Sequence, residues 1–214
     1  MNEWLLRRLE REPDRIFYEW ELKMQCREFN DLQNAGLLTR DLEAEESEFC
    51  FDRRGHRLHL ERMDGVIFGV DADEPDAPID EVDPKDLIRY RFNLGRWLRM
   101  IREANRLSGP TSRLEHCLFF LGEKEDTGHR LGYVLGFFNH RDPAFNLLLG
   151  LPARIASKYD AIVVTTPIST LLPQTDIANL ERLGVYLVPP LNHQTLMIEY
   201  PRLQAKRREV RSNE

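Results

Sequence analysis

Leu22, Cys26, Phe29 and Leu32 recur in steps of four, three and three, which places them on one apolar stripe at helical spacing. The spacing predicts a helix over 17–35, and Gly36 stands where helices commonly stop in the left-handed conformation. Ahead of it, Trp4, Leu5 and Leu9 share one face of a first helix that Pro13 ends. A hairpin follows: 48–51 as one strand, 52–55 as the turn, 56–60 as the return. A second turn at Asp64-Gly65 leads to a strand over 66–70, because Asp-Gly between apolar runs is a strong short-range hairpin signal.

Residues 71–83 carry prolines and acids in a pattern that opposes regular structure, and read as a linker. Between 64 and 86 nine acids face one lysine, a local charge of −8. Asp83-Pro84 supplies a cap and a first helical residue, and Asn93 a second cap for a segment running to about 107. In that segment Leu94, Trp97, Ile101 and Ala104 form the buried face, and Ser108-Gly109-Pro110 ends it. Beyond it the pattern is that of an α/β unit. Apolar strands over 114–121 and 131–138 are joined by a charged turn, 123–129. A helix starts at Asp142-Pro143, breaks near Gly150 and Pro152 and reaches about 158. The all-apolar run 161–164 and the run 185–188 flank a helix capped at Thr175 or Asp176 and closed by Gly184. Strand, helix and strand in so few residues favour parallel pairing. From 201 the chain is polar and is expected to fray.

The run Leu32-Gln33-Asn34-Ala35-Gly36-Leu37-Leu38 resembles the end of the long helix in many winged-helix modules, where L-x-x-x-G-L-L passes into a β-hairpin wing. The stretch around Cys50 resembles a decayed zinc ribbon. The expected fold is therefore α+β or α/β: an N-terminal winged-helix-like module with its hairpin (1–70), an acidic linker (71–83), a C-terminal α/β domain with a small mixed sheet (84–200), and a polar tail (201–214). The winged-helix resemblance implies either DNA reading or protein docking. Gln25, Gln33 and Asn34 are the candidate base readers on that helix, but its charged residues from 19 to 35 sum to −2, which opposes approach to phosphate.

A zinc site at Cys50, His56 and His59 lacks ligands. Arg53 stands where a ribbon's second cysteine would, and no later pair follows. No metal and no cofactor are expected. Cys26, Cys50 and Cys117 are odd in number and far apart, which is not a disulfide framework.

Composition narrows the picture further. The chain has 214 residues, 42% of them hydrophobic and 31% charged, as in ordinary globular proteins. No apolar run approaches the roughly 20 residues a membrane helix needs, and the first residues lack the order of a signal peptide. A cytoplasmic protein without a membrane partner is expected. The net charge of −6 excludes a generic nucleic-acid binder, although a local basic surface could act alone.

Two further groups of residues are candidates. Arg96, Arg99, Arg102 and Arg106 lie opposite the buried face of their helix, where they could grip phosphates, be solvated, or be neutralised by the acidic linker. Thr165, Thr166, Ser169 and Thr170 follow a buried strand, where hydroxyls could donate to phosphate or a small ligand or serve turns and caps. The order helix, two strands, helix, strand also resembles the core of restriction-endonuclease-like folds. That resemblance implies an acid on one strand and Glu-x-Lys or Asp-x-Lys on the next, yet 131–138 holds no acid and Glu123-Lys124 lacks the spacer. Walker, Gly-x-Ser-x-Gly, His-Glu-x-x-His and dinucleotide motifs are absent from the sequence. The expectation is a non-catalytic regulatory or adaptor protein that binds a protein partner, with DNA as a second candidate. One alternative is a divergent metal-dependent nuclease or other phosphate-handling enzyme, which would gather at least two of Glu115, Glu123, Asp142 and Asp160 in one cleft with a cation or a lysine. The other is a structural subunit of a larger assembly.

Overall fold

A computed structural model describes residues 2–13, 15–74, 78–126, 128–138, 140–155, 158–168 and 172–198, leaving aside the side chain of Asp142. The fold is mixed α and β, with three sheets and several helices. Contacts divide the chain into two units: a smaller one over 14–94, and a larger one made of 3–13 together with 95 onward.

The chain opens with α1 (Glu3–Arg11), whose Leu5, Leu6 and Leu9 are buried. The smaller unit then runs β1 (Ile16–Tyr18), α2 (Glu19–Gln25), α3 (Phe29–Asn34), β2 (Leu38–Arg40) and α4 (Leu42–Glu45). Three elements thus replace the single helix expected over 17–35. Ile16-Phe17-Tyr18, β-branched and aromatic, prefers a pleated strand. Cys26 takes an extended backbone (φ −119°, ψ 100°) that stops α2. The apolar stripe nevertheless holds, since Leu22, Cys26, Phe29 and Leu32 are all buried. Gly36, at φ 67°, follows the end of α3.

The rest of the smaller unit contains β3 (Phe49–Phe51), β4 (Arg57–Met63), β5 (Val66–Asp71) and β6 (Asp80–Glu81), an antiparallel sheet in that order. Asp64 and Gly65 both have positive φ, 50° and 82°, as a two-residue turn between right-twisted strands requires. The acidic stretch 71–83 is not wholly irregular. Within it β6 pairs Phe68 with Glu81 and Gly69 with Asp80, while residues 75–77 lie outside the described set.

Asp83 accepts the Lys85 N–H (2.9 Å), but the helix it opens is a single tight turn, Pro84–Leu87. The chain then enters β7 (Arg89–Phe92), where the sequence pattern predicts no strand. It lies between β1 and β2, antiparallel to both.

The larger unit begins its main run with α5 (Leu94–Ala104). It continues through β8 (Ser112–Glu115), β9 (Leu118–Asp126), β10 (His129–Gly136), α6 (Arg141–Leu149), α7 (Leu151–Ile155), β11 (Ala161–Thr165), α8 (Gln174–Arg182) and β12 (Val185–Leu187). One five-stranded sheet results, in the order β12-β11-β10-β9-β8, with β10, β11 and β12 parallel and β8 and β9 antiparallel. Its core packs Val134, Ile162, Val164 and Val185 against Leu148, Leu151 and Leu180 of the helices. The charged residues 123–126 belong to β9 instead of the expected turn, because β9 and β10 pair out to Asp126 and His129. The pairing slips one residue between Tyr133 and Val134, a bulge on β9. At the end of α5, the buried Asn105 amide donates to Ile101 O and Leu196 O (both 2.7 Å) and accepts from Ile198 N–H (2.8 Å). This satisfies a side chain that burial would otherwise penalise.

Candidate interaction surfaces

The candidate base readers differ in exposure and engagement. Gln25 is exposed at the end of α2. Gln33 is half-buried and donates to the Tyr90 hydroxyl (2.7 Å), so its amide is committed within the smaller unit. Asn34, the last residue of α3, is exposed.

On α5, Arg96 and Arg99 are exposed, while Arg102 is half-buried with its Nε donating to Leu107 O (3.1 Å). Arg106 lies past the helix in left-handed backbone (φ 54°), so the expected four-residue stripe is a three-residue stripe on α5.

Thr165 and Thr166 are buried, and each hydroxyl donates to a carbonyl of its own chain: Thr165 to Pro189 O (3.2 Å) and Thr166 to Ile168 O. They hold the loop at the carboxyl end of β11. Ser169 and Thr170 lie outside the described residues.

Cys50 is buried and pairs across the strands with Leu58, whereas His59 pairs with Phe49 on the opposite face of that sheet. His56 sits in the turn, 3.5 Å from Asp52 and 3.9 Å from Asp71. Among the described residues no three His, Cys, Asp or Glu side chains come together as a metal site. Burial pushes all three thiols above their usual range, so none is an activated nucleophile.

Of the acids that a nuclease would need, Glu115 and Glu123 are paired with arginines, and the side chain of Asp142 lies outside the described residues. Glu115 pairs with Arg154. Glu123 accepts from Arg130 Nη2 through both oxygens (2.7 and 2.9 Å) and from the Tyr159 hydroxyl (2.8 Å). The Arg130 bond, aided by that of Tyr159, holds the Glu123 carboxyl below its usual range. Asp160 accepts the Arg130 backbone N–H (2.8 Å) and lies 3.5 Å from His129. Arg130 thus bonds Glu123 through its side chain and Asp160 through its backbone N–H. The sequence offered Glu123 as a candidate, but nothing marked Arg130, Arg154, Lys158 or Tyr159, which come from separate elements and form no motif.

Cavities lie beside these groups. In the smaller unit, one of about 440 Å³ is lined by Trp20, Cys50, Leu58 and Leu87 together with Asp52, Asp71, Asp80 and Asp83. In the larger unit, one of about 250 Å³ lies at the amino end of α6, between Glu10, His116, Cys117 and His140. Another, of about 380 Å³, is lined by Arg130, Arg154, Lys158 and Glu123. Among the described residues, no helix is long and apolar enough to cross a membrane. Compared with known proteins, the chain matches no family model, no curated protein and no solved structure.

Proposed function

We propose that this chain is a non-catalytic adaptor that docks a protein partner through its smaller unit. The observation that carries the reading is where the large exposed apolar side chains fall. Met24, Leu42, Phe49, Phe51, Met63 and Ile79 belong to the smaller unit, against Leu149, Leu183 and Met197 in the larger one. Phe49 and Phe51 share one face of β3, with His59 and Arg57 as their cross-strand partners. The Arg57 guanidinium lies 4.2 Å from the Phe49 ring centre, and His59 stands edge-on at 5.1 Å. Exposed aromatics beside an arginine match the composition of interface hot spots.

A winged-helix-like reading of this unit is supported by its chain path. β1, α2, α3 and β2 are followed by β7, which returns between the two strands, and residues 41–88 stand where a wing would. α1 groups with the other unit, which departs from the family's usual three helices.

The reading is tested by recovering partners from host extract, with and without nuclease, using the wild-type chain and Phe51→Asp. A protein held by the wild type in both conditions and lost by Phe51→Asp, with thermal unfolding unchanged, is the expected result. A partner that the variant keeps, or that nuclease releases, would sink it.

DNA contact is a second reading, favoured by the exposed Arg96 and Arg99 on α5. If it holds, Arg99→Ala with Arg102→Ala lowers the salt slope of binding by about two. The enzyme alternative has less support, since the cavity of Arg130, Arg154 and Lys158 is lined by Glu123 but by neither Glu115 nor Asp160.

A further inference from the structure

We infer that the cavity of the larger unit lined by Arg130, Arg154 and Lys158 binds a phosphate monoester of about mononucleotide size. Its volume, about 380 Å³, falls in the roughly 300–1,000 Å³ range of small-molecule sites. Its charge runs against that of the chain. The whole sequence is −6, yet three cations line this cavity against one carboxylate, Glu123. Glu115 is not part of the lining, but it holds Arg154 from beside it.

The three cations are prepared to different degrees. Arg130 sits at the start of β10, fixed by Glu123 through Nη2 and lying 5.4 Å from the Tyr159 ring centre. A guanidinium has five N–H donors, so the bond to Glu123 leaves others for a ligand. Arg154, on α7, is held through Nη1 alone. Lys158 is exposed, and its charge helps to hold the Glu123 carboxyl below its usual range. Cations already held in place lose little freedom on gripping an anion, and arginine forks match phosphate oxygens.

The ligand's charge follows from this arrangement. Glu123 repels an anion from its own side, so the anion sits toward Arg154 and Lys158. A phosphate monoester, at about −1.5 to −2 near neutral pH, draws on all three cations more than a monoanion would. Beside them, Leu114, Phe120 and Ile155 provide an apolar wall, which suits a ligand with a flat or apolar body attached to its phosphate.

Calorimetric titration of the full chain tests this with three probes: 5′-AMP, inorganic phosphate and adenosine. AMP should bind saturably with a Kd below about 1 mM, phosphate about tenfold more weakly, and adenosine without saturation. Lys158→Ala should weaken AMP binding about tenfold, in line with the loss of one charge-assisted bond. Lys158→Glu should abolish binding. Since Lys158 is exposed, both variants should keep the wild-type unfolding temperature. Absence of saturable AMP binding, adenosine binding as tight as AMP, or unchanged affinity in a folded Lys158→Glu would each overturn the inference.

Discussion

Glu10 lies in the last turn of α1, where the helix dipole disfavours a carboxylate. Burial pushes its carboxyl from 4.5 up to about 7, against the backbone N–H of Ile168 and the charge of Arg7, which both work to lower it. The folded state therefore holds this proton more tightly than the unfolded chain does. The carboxyl costs nothing below pH 4.5, a growing amount between 4.5 and about 7, and its full penalty above 7. Replacing Glu10 with glutamine, a neutral isostere that can still accept from Ile168, should remove it. Allowing for partial exposure, the gain at pH 8 is about 1 kcal/mol, or about 2–4 °C in Tm, with no gain at pH 4. Melting curves at the two pH values check this, and an equal shift at both would show that the effect is not titration. No sequence pattern marks Glu10, because its shift arises from burial and from a loop more than 150 residues along the chain. Thr165 and Thr166 show the converse. Their residue types were legible, but turn chemistry and ligand binding draw on the same hydroxyls, and here the hydroxyls bond their own loop.

The bulge in β9 falls at Leu121, two residues before Glu123. Ser108 and Glu123 exchange backbone bonds, each 2.8 Å, which brings the Ser108 carbonyl against Gly122. Gly122 has φ 138°, and a Cβ built there would lie 2.4 Å from Ser108 O, so only glycine fits. Gly122→Ala should lower stability by about 2 kcal/mol or more, roughly 5 °C in Tm, and should loosen the Glu123–Arg130 pair. Thermal unfolding with and without that pair, using Arg130→Ala as the second change, measures the coupling. Additive effects would mean that the bulge does not position Glu123.

Elements with strong local patterns were legible: the Asp64-Gly65 hairpin, the all-apolar β11 and the βαβ path into β12. β7 was not. Arg89-Tyr90-Arg91-Phe92 is a strand because β1 and β2 flank it, and its neighbours lie some 50 residues and more upstream. The charged residues 123–126 read as a turn for a related reason, since their place in a strand depends on the pairing of β10.

At the level of the molecule, the alternation of strand and helix announced the parallel half of the larger unit's mixed sheet, because each βαβ step is local in sequence. The grouping of α1 with 95 onward was not visible, since contacts that distant leave no periodicity. Charge behaves in the same way. The total of −6 could be read from composition, but the convergence of Arg130, Arg154 and Lys158 on one cavity could not.

The position of β7 has a consequence in time. It is the middle strand of its sheet, yet the ribosome makes it last. Between the end of β2 at Arg40 and the end of β7 at Phe92, synthesis at about 5–20 residues per second takes roughly 3 to 10 seconds. Until then β1 and β2 have no partner between them, and their backbone groups remain open to other chains. A nascent chain stalled at residue 88 should therefore expose β1 and β2 to hydrogen exchange and protease, and one released past 94 should protect them. Equal protection at both lengths would show that the sheet does not wait for its centre. During those seconds the growing chain depends on slow aggregation or on a chaperone, a demand set by strand order alone.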